Sequence, residues 1–199
     1  MSEMNKPMSD IKRAYQALFG AGDVVEVRAL FAEQGRVDGG FFDNIESLEM
    51  AVTSLDQTPG VKGVFWPIHE VKSGMLQRIP NGIRQRAKDL TKAGDIERRR
   101  LLFIDLDPVR PSGISSTEAE KELAIAKSQQ IMEFLKDCGW PDPACVDSGN
   151  GVHVLYKIDL DDGKESSLLQ KNVLIALAKR FDDEHVKVDR SVHDKARIC

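Results

Sequence analysis

Three cysteines in 199 residues, Cys138, Cys145 and Cys199, include no CxxC pair. An odd, scattered set of this kind argues against both a disulfide framework and a zinc site, and the three are expected as buried thiols. Long apolar runs are missing too, since none approaches the roughly 20 residues that a membrane helix needs. The opening stretch MSEMNKPMSD lacks the cationic and apolar halves of a signal peptide. The chain therefore reads as cytoplasmic, with no membrane partner. Internal repeats and low-complexity tracts are absent as well. What remains, 41% hydrophobic and 30% charged residues, suits a soluble globular protein of one domain or two small lobes.

A formal net charge of −4 ordinarily counts against a nucleic-acid partner, but the average conceals a cluster. From Arg78 to Arg100, eight cations (Arg78, Arg84, Arg86, Lys88, Lys92, Arg98, Arg99 and Arg100) stand against Asp89, Asp95 and Glu97, a local net of +5. A charge run of this kind is most often a solvated face. Its position raises a second reading, because it leads into an apolar run, LLFIDLD, that ends in two carboxylates. Phosphates and metal ions together call for both signs of charge. Arg84, Arg86, Lys88, Arg98 and Arg100 are the candidate nucleic-acid contacts.

Residues 1 to 97 read as an amino-terminal α/β module with a basic connecting segment. Ile11, Ala14, Tyr15 and Leu18 share a helical face after a Ser9/Asp10 cap, and Gly20 closes the stretch. DVVEVRAL alternates as a strand, Asp43 or Asn44 can cap a helix bearing Leu48, Ala51, Val52 and Leu55, and KGVFWPI reads as another strand. Residues 76 to 97 are poor in apolar residues and read as a mobile connection.

Residues 98 to 199 show a sharper order. LLFIDLD is a strand. A helix capped near Ser115 to Thr117 follows, with Leu123, Ala126, Ile131, Phe134, Leu135 and Cys138 as its apolar face. ACVD and VHVLYKI flank the turn SGNG as a hairpin. Leu169, Val173, Leu174, Leu177 and Phe181 mark a second helix, and VKVD a last strand. The order βαββαβ is the split βαβ, or ferredoxin-like, arrangement, an α+β fold. In it the first strand lies between the third and fourth, antiparallel to both. Asp105 and Asp107 at the end of the first strand, His153 at the start of the third and Asp189 near the start of the fourth then converge.

Side chains at i and i+2 on a strand share a face, with Cα atoms about 6.5 Å apart. Asp105 and Asp107 can thus grip the same cations. Three crowded carboxylates raise one another's pKa unless a divalent ion neutralises them, and oxygen ligands favour magnesium, manganese or calcium over zinc. Any one of these aspartates would pass for a solvated strand-end residue; three with a histidine are harder to dismiss. In SGNGVH, Gly149 and Gly151 offer backbone N–H groups to an anion, with the Ser148 hydroxyl and His153 beside them.

DLD at 105 to 107, SGNGVH at 148 to 153 and VD at 188 to 189 resemble the three motifs of the archaeo-eukaryotic primase superfamily, in their usual order, and DLDPVRPSGISSTEAE resembles its bacterial and phage primase-polymerase branch. The resemblance covers residues 98 to 199 well and the first lobe loosely, around GFFDN and KGVFWPIHEV. It implies a primase-polymerase fold and template-directed nucleotidyl transfer on a DNA template and primer. Two Mg2+ or Mn2+ ions would be held by Asp105, Asp107 and Asp189. Ser148, Gly149, Gly151, His153 and Arg197 would meet the nucleoside triphosphate. His69 and Asp194 stand where relatives often have asparagine. The resemblance also implies a catalytic fragment of a longer protein, fused to or working with a helicase or helical priming module.

Two other readings compete. DLDPV also fits the DxDx(T/V) pattern of haloacid-dehalogenase-like phosphatases, with Asp182 and Asp183 as a later acidic pair, although that fold needs parallel strands where SGNG predicts a hairpin. The alternative from a different class is a non-catalytic primase-like module that binds nucleic acid or a partner through the 78 to 100 patch.

Overall fold

The computed structural model describes residues 8–20, 22–111 and 113–199. The stretch read against a signal peptide falls largely outside them, over residues 1 to 7. The chain is mixed α+β with antiparallel sheets, and it divides into two units, residues 1–97 with 198–199, and residues 98–197. No helix among the described residues is long and apolar enough to cross a membrane.

In the first unit, α1 (Asp10–Leu18) starts where the Ser9 hydroxyl accepts from the Lys12 N–H, and α2 (Ile45–Asp56) starts where the Asn44 side chain accepts from Ser47. A three-stranded antiparallel sheet has the order β2 (Val37–Phe42), β1 (Val25–Phe31), β3 (Val61–Phe65). Val25, Val27, Ala29, Phe42, Leu48 and Leu55 form its core with α2. A two-residue strand, β4 (Glu70–Val71), follows. Strand β2 has no counterpart in the sequence reading, because the paired glycines of VDGGFF look like a turn.

Residues 76 to 95 are not a loose connection. They run beside β2: Gly39 and Arg84 exchange backbone hydrogen bonds of 3.0 and 2.9 Å, Phe41 N–H donates to Ile79, and Ala87 N–H donates to Val37. Gly39 and Gly40 permit this approach, since a Cβ on Gly40 would lie 1.8 Å from the Gly82 carbonyl oxygen. Met75, Ile79 and Leu90 are buried against Phe41. Fully buried Glu26 locks the segment further, accepting from Arg28 at 2.6 Å and from the Thr91 N–H at 3.1 Å. Single apolar residues and scattered polar contacts, among them Asp38 accepting from the Arg86 N–H at 2.9 Å, hold it, and neither leaves a periodic signal.

The second unit contains most of β5 (Ile96–Pro108), then α3 (Glu118–Asp137), β6 (Ala144–Asp147), β7 (Val152–Leu160), α4 (Lys164–Phe181) and β8 (Val186–Val188). Its strands lie in the order β8-β5-β7-β6, each pair antiparallel. That is the split βαβ order. A capping box joins Thr117 and Glu120 at the start of α3.

The helices turn inward part of the face that the apolar pattern picks out, Ile131 and Leu135 on α3 and Leu174 and Leu177 on α4, together with residues that it does not. Ala124, Ser128, Ile131 and Leu135 are buried on α3, while Leu123, Ala126 and Cys138 are exposed. On α4 the buried set is Ser166, Gln170, Leu174, Leu177 and Ala178, and Leu169 is exposed. Satisfied polar residues displace larger apolar ones because Ser128, Ser166 and Gln170 all have hydrogen-bond partners. The cysteines are not buried thiols either. Cys138 closes α3, Cys145 lies on strand β6 at the end of the strand order, both are exposed, and Cys199 is half-buried.

Candidate active site

β5 is buried without interruption from Leu101 to Leu106, so its side chains there alternate between two covered faces. Leu101, Phe103, Asp105 and Asp107 share one of them. Asp105 pairs directly with His153 on β7, and the His153 ring sits edge-on to Phe103 with centroids 4.8 Å apart. His153 Nε2 lies 3.5 Å from Asp105 Oδ1.

Asp189 arrives from the other side, but at the end of β8 and not at its start. β8 is only three residues long, so its register against β5 (Leu106 with Val188, Asp107 with Lys187) brings the next residue beside Asp105. The Asp189 N–H donates to the Asp105 carbonyl at 2.9 Å. The Asp189 carboxylate accepts from the Ser191 N–H at 2.7 Å and from its hydroxyl at 3.0 Å, which starts a turn leading to Arg197. The Arg197 guanidinium returns to 3.9 Å from Asp105 and 3.6 Å from Asp189.

Burial falls from Asp105, 10% exposed at its side chain, through Asp189 to Asp107, which is about half exposed. Burial and the neighbouring charges of Asp107 and Asp189 push the Asp105 carboxyl up to about 7, against the opposing pull of Arg197 and Arg110. Burial lowers the pKa of His153, which keeps its ring neutral. Arg110, three residues past Asp107, reaches 3.5 Å from its Oδ1 and donates to the carbonyls of Pro108 and Ile114.

Among the described residues no group of three or more His, Cys, Asp or Glu forms a ready-made metal cage. The carboxylates are an open crowd. What fits a divalent ion is the donor set: three carboxylates of graded exposure, the innermost raised to about 7 by burial first and then by the charge of the other two. Asp105, Asp107 and Asp189 are the residues that would hold Mg2+ or Mn2+, oxygen ligands of the kind these ions prefer.

The turn between β6 and β7 stands against this crowd. A Cβ on Gly151 would lie 2.1 Å from the Leu106 carbonyl oxygen and 3.3 Å from Asp107 Oδ1, so only glycine lets β7 begin there. The backbone donors of the turn are not aimed outward: the Gly149 N–H donates to Asp147 at 2.7 Å and the Gly151 N–H to the Ser148 hydroxyl oxygen at 2.9 Å. The anion cradle expected from the two glycines is closed on itself. The Ser148 hydroxyl hydrogen still has no acceptor among the described residues, and it can serve a ligand oxygen. Asn150 is clamped to the loop before α3, where its side chain accepts from the Ser116 N–H at 3.1 Å and its carbonyl accepts from the Ser116 hydroxyl.

Most of the basic segment is paired with the protein's own acids. Arg84 lies 3.6 Å from Asp89, Arg86 lies 2.5 Å from Glu33, and Arg98 and Arg100 share Asp159 at 2.6 and 2.7 Å. Lys88 is in no ion pair among the described residues. These pairs are exposed and individually weak, so phosphates can compete for the same cations. Arg99 points the opposite way from Arg98 and Arg100 and is buried.

Arg110, Asn150 and Ser116 escaped assignment from sequence. Arg110 alone left a signal, its i+3 spacing from Asp107. Searches of protein-family profiles, curated proteins and solved structures match nothing to this chain.

Proposed function

We propose that the chain is a metal-dependent nucleotidyltransferase that extends a primer on a DNA template, with a primase-polymerase fold. One observation carries the reading. Asp105 and Asp107 of the DLD motif and Asp189 of the VD motif meet at the junction of β5 and β8, with the SGNGVH turn against the same strand end. A carboxylate left as charge-crowded as Asp105 suits a centre completed by cations.

Asp105, Asp107 and Asp189 would hold a pair of divalent ions, which when bound would supply activation of a 3′-hydroxyl and charge neutralisation at the phosphates. The protein's share is placement. Asp107 presents the outermost carboxylate, Asp105 the innermost, and Asp189 is fixed by its own turn. The neutral His153 ring and the Ser148 hydroxyl are hydrogen-bonding groups for triphosphate oxygens, and Arg197 adds positive charge. Arg84, Arg86, Arg98 and Arg100 would exchange their carboxylate partners for template phosphates, and Lys88 would meet a phosphate directly.

The phosphatase reading has less behind it. Every described strand pair with a given register is antiparallel, and the acidic pair it invokes serves turns: Asp182 accepts from Val188, and Asp183 from His185 and Val186.

The test is extension of a labelled primer on a template with Mg2+ or Mn2+ and nucleoside triphosphates. The expected outcome is addition of the complementary nucleotide by the wild type and at least a 100-fold loss in Asp107→Ala with the fold retained by circular dichroism. Extension by Asp107→Ala within a few-fold of wild type would overturn the assignment. Hydrolysis of a simple phosphomonoester without any extension would favour the phosphatase.

A further inference from the structure

We propose that Arg99 is a positioning residue: it clamps the Asp189–Arg197 turn so that the Arg197 guanidinium faces the triphosphate. The inference rests on the nucleotidyltransferase reading and deepens it.

Arg99 is 2% exposed, among the most buried charges in the second unit. The strand register shifts between Arg99 and Leu101, an irregularity of the kind that re-aims a side chain. Its guanidinium donates to the Gln170 side-chain oxygen and, at 2.9 Å, to the His193 carbonyl. Gln170 is itself oriented by donating to the Leu101 carbonyl at 2.9 Å. Arg99 Nε is buried without a hydrogen-bond partner. An arginine buried in this state costs stability that an apolar side chain of similar length would not. Its presence is best explained by what it grips.

What it grips is the middle of the turn. Arg197 is reached from Asp194 by a local backbone bond of 3.1 Å, and Asp194 from Ser191 by one of 3.4 Å. The polar anchors from elsewhere in the unit are few: the Asp105 carbonyl on the Asp189 N–H, Arg99 on His193, and Asp162 on Lys195 at 2.5 Å. Val192 adds a buried apolar contact. Burial lowers the pKa of Arg99, and the negative charges of Asp162, Asp194 and Asp161 oppose that shift. Past Arg197, Cys199 exchanges backbone hydrogen bonds with Trp66, so the turn is fixed at both ends, and Arg99 grips its middle, between Asp189 and Arg197.

A double-mutant cycle separates this role from simple stabilisation. Arg99→Lys keeps the charge and removes the planar fork. Affinity is measured for a nucleoside triphosphate and for the monophosphate, both with Mn2+. Arg99→Lys should weaken the triphosphate about tenfold and leave the monophosphate unchanged, and in an Arg197→Ala background it should change triphosphate affinity by less than twofold. Equal losses in both backgrounds, or no loss in the single variant, would overturn the inference. Should Arg99→Lys not fold, Asp162→Asn, which loosens the Lys195 anchor, runs through the same cycle with the same expected outcomes. A wild type that binds no triphosphate overturns the nucleotidyltransferase reading itself; a wild type that binds it with additive losses overturns only the part given to Arg99.

Discussion

Asp105 is the residue at which the physics of the site is most exposed to measurement. Its carboxyl is pushed from the ordinary 3.8 up to about 7, first by burial and then by Asp107 and Asp189. The folded state therefore holds a proton that the unfolded chain releases, and the contribution of this group to metal-free stability is greatest in acid and is lost as pH rises between these two values. The corresponding penalty is at most about 4 kcal/mol. Asp105→Asn removes it. In chelator, urea unfolding should show the variant more stable than wild type above pH 7, with the gap closing as pH approaches 4. A gap that is the same at pH 4 and pH 8 would mean that Asp105 carries no such charge penalty. Adding Mn2+ should restore stability to the wild type and not to the variant.

Among the elements, the hairpin between β6 and β7 joins fold and site most tightly. Gly149 has φ +85° with nothing within 4 Å of a built Cβ, whereas a Cβ on Gly151 would strike the Leu106 carbonyl. Gly149→Ala should cost about 1 kcal/mol from backbone strain alone. Gly151→Ala should cost about 2–3 kcal/mol, because β7 must move away from β5. Chemical denaturation of the two variants checks the order; equal costs would show that the close approach is relieved without effort. The elements of the second unit were legible in the sequence because each was bounded by local chemistry, the Thr117 cap, the SGNG turn and the alternating apolar runs. Strand β2 was not, since its glycines serve the neighbouring 79 to 84 segment and not a turn. The inward faces of α3 and α4 were legible only in part, through Ile131, Leu135, Leu174 and Leu177: Ser128 and Ser166 are buried with local hydrogen-bond partners, Ile125 and Asp161, and Gln170 with partners on β5, and a pattern of apolar residues registers none of the three.

For the molecule as a whole, the candidate site lies within residues 98 to 197, one of the two units. Its convergence was legible because antiparallel order brings particular strand ends together, and the motifs sit at those ends. The placement of Asp189 differed in detail, just after β8 and not near its start, because three residues suffice for that strand. The closure of the glycine turn on Asp147 and Ser148, and the pairing of Arg84, Arg86, Arg98 and Arg100 with acids, depended on side-chain partners that spacing alone does not reveal. The central claim concerns the three carboxylates, and manganese stoichiometry tests it most directly. With one nucleoside triphosphate per chain, paramagnetic resonance of free Mn2+ should report about two ions bound per wild-type chain beyond a protein-free nucleotide control corrected for its own uptake, and no more than one in Asp107→Ala. The same stoichiometry in both proteins would contradict the account.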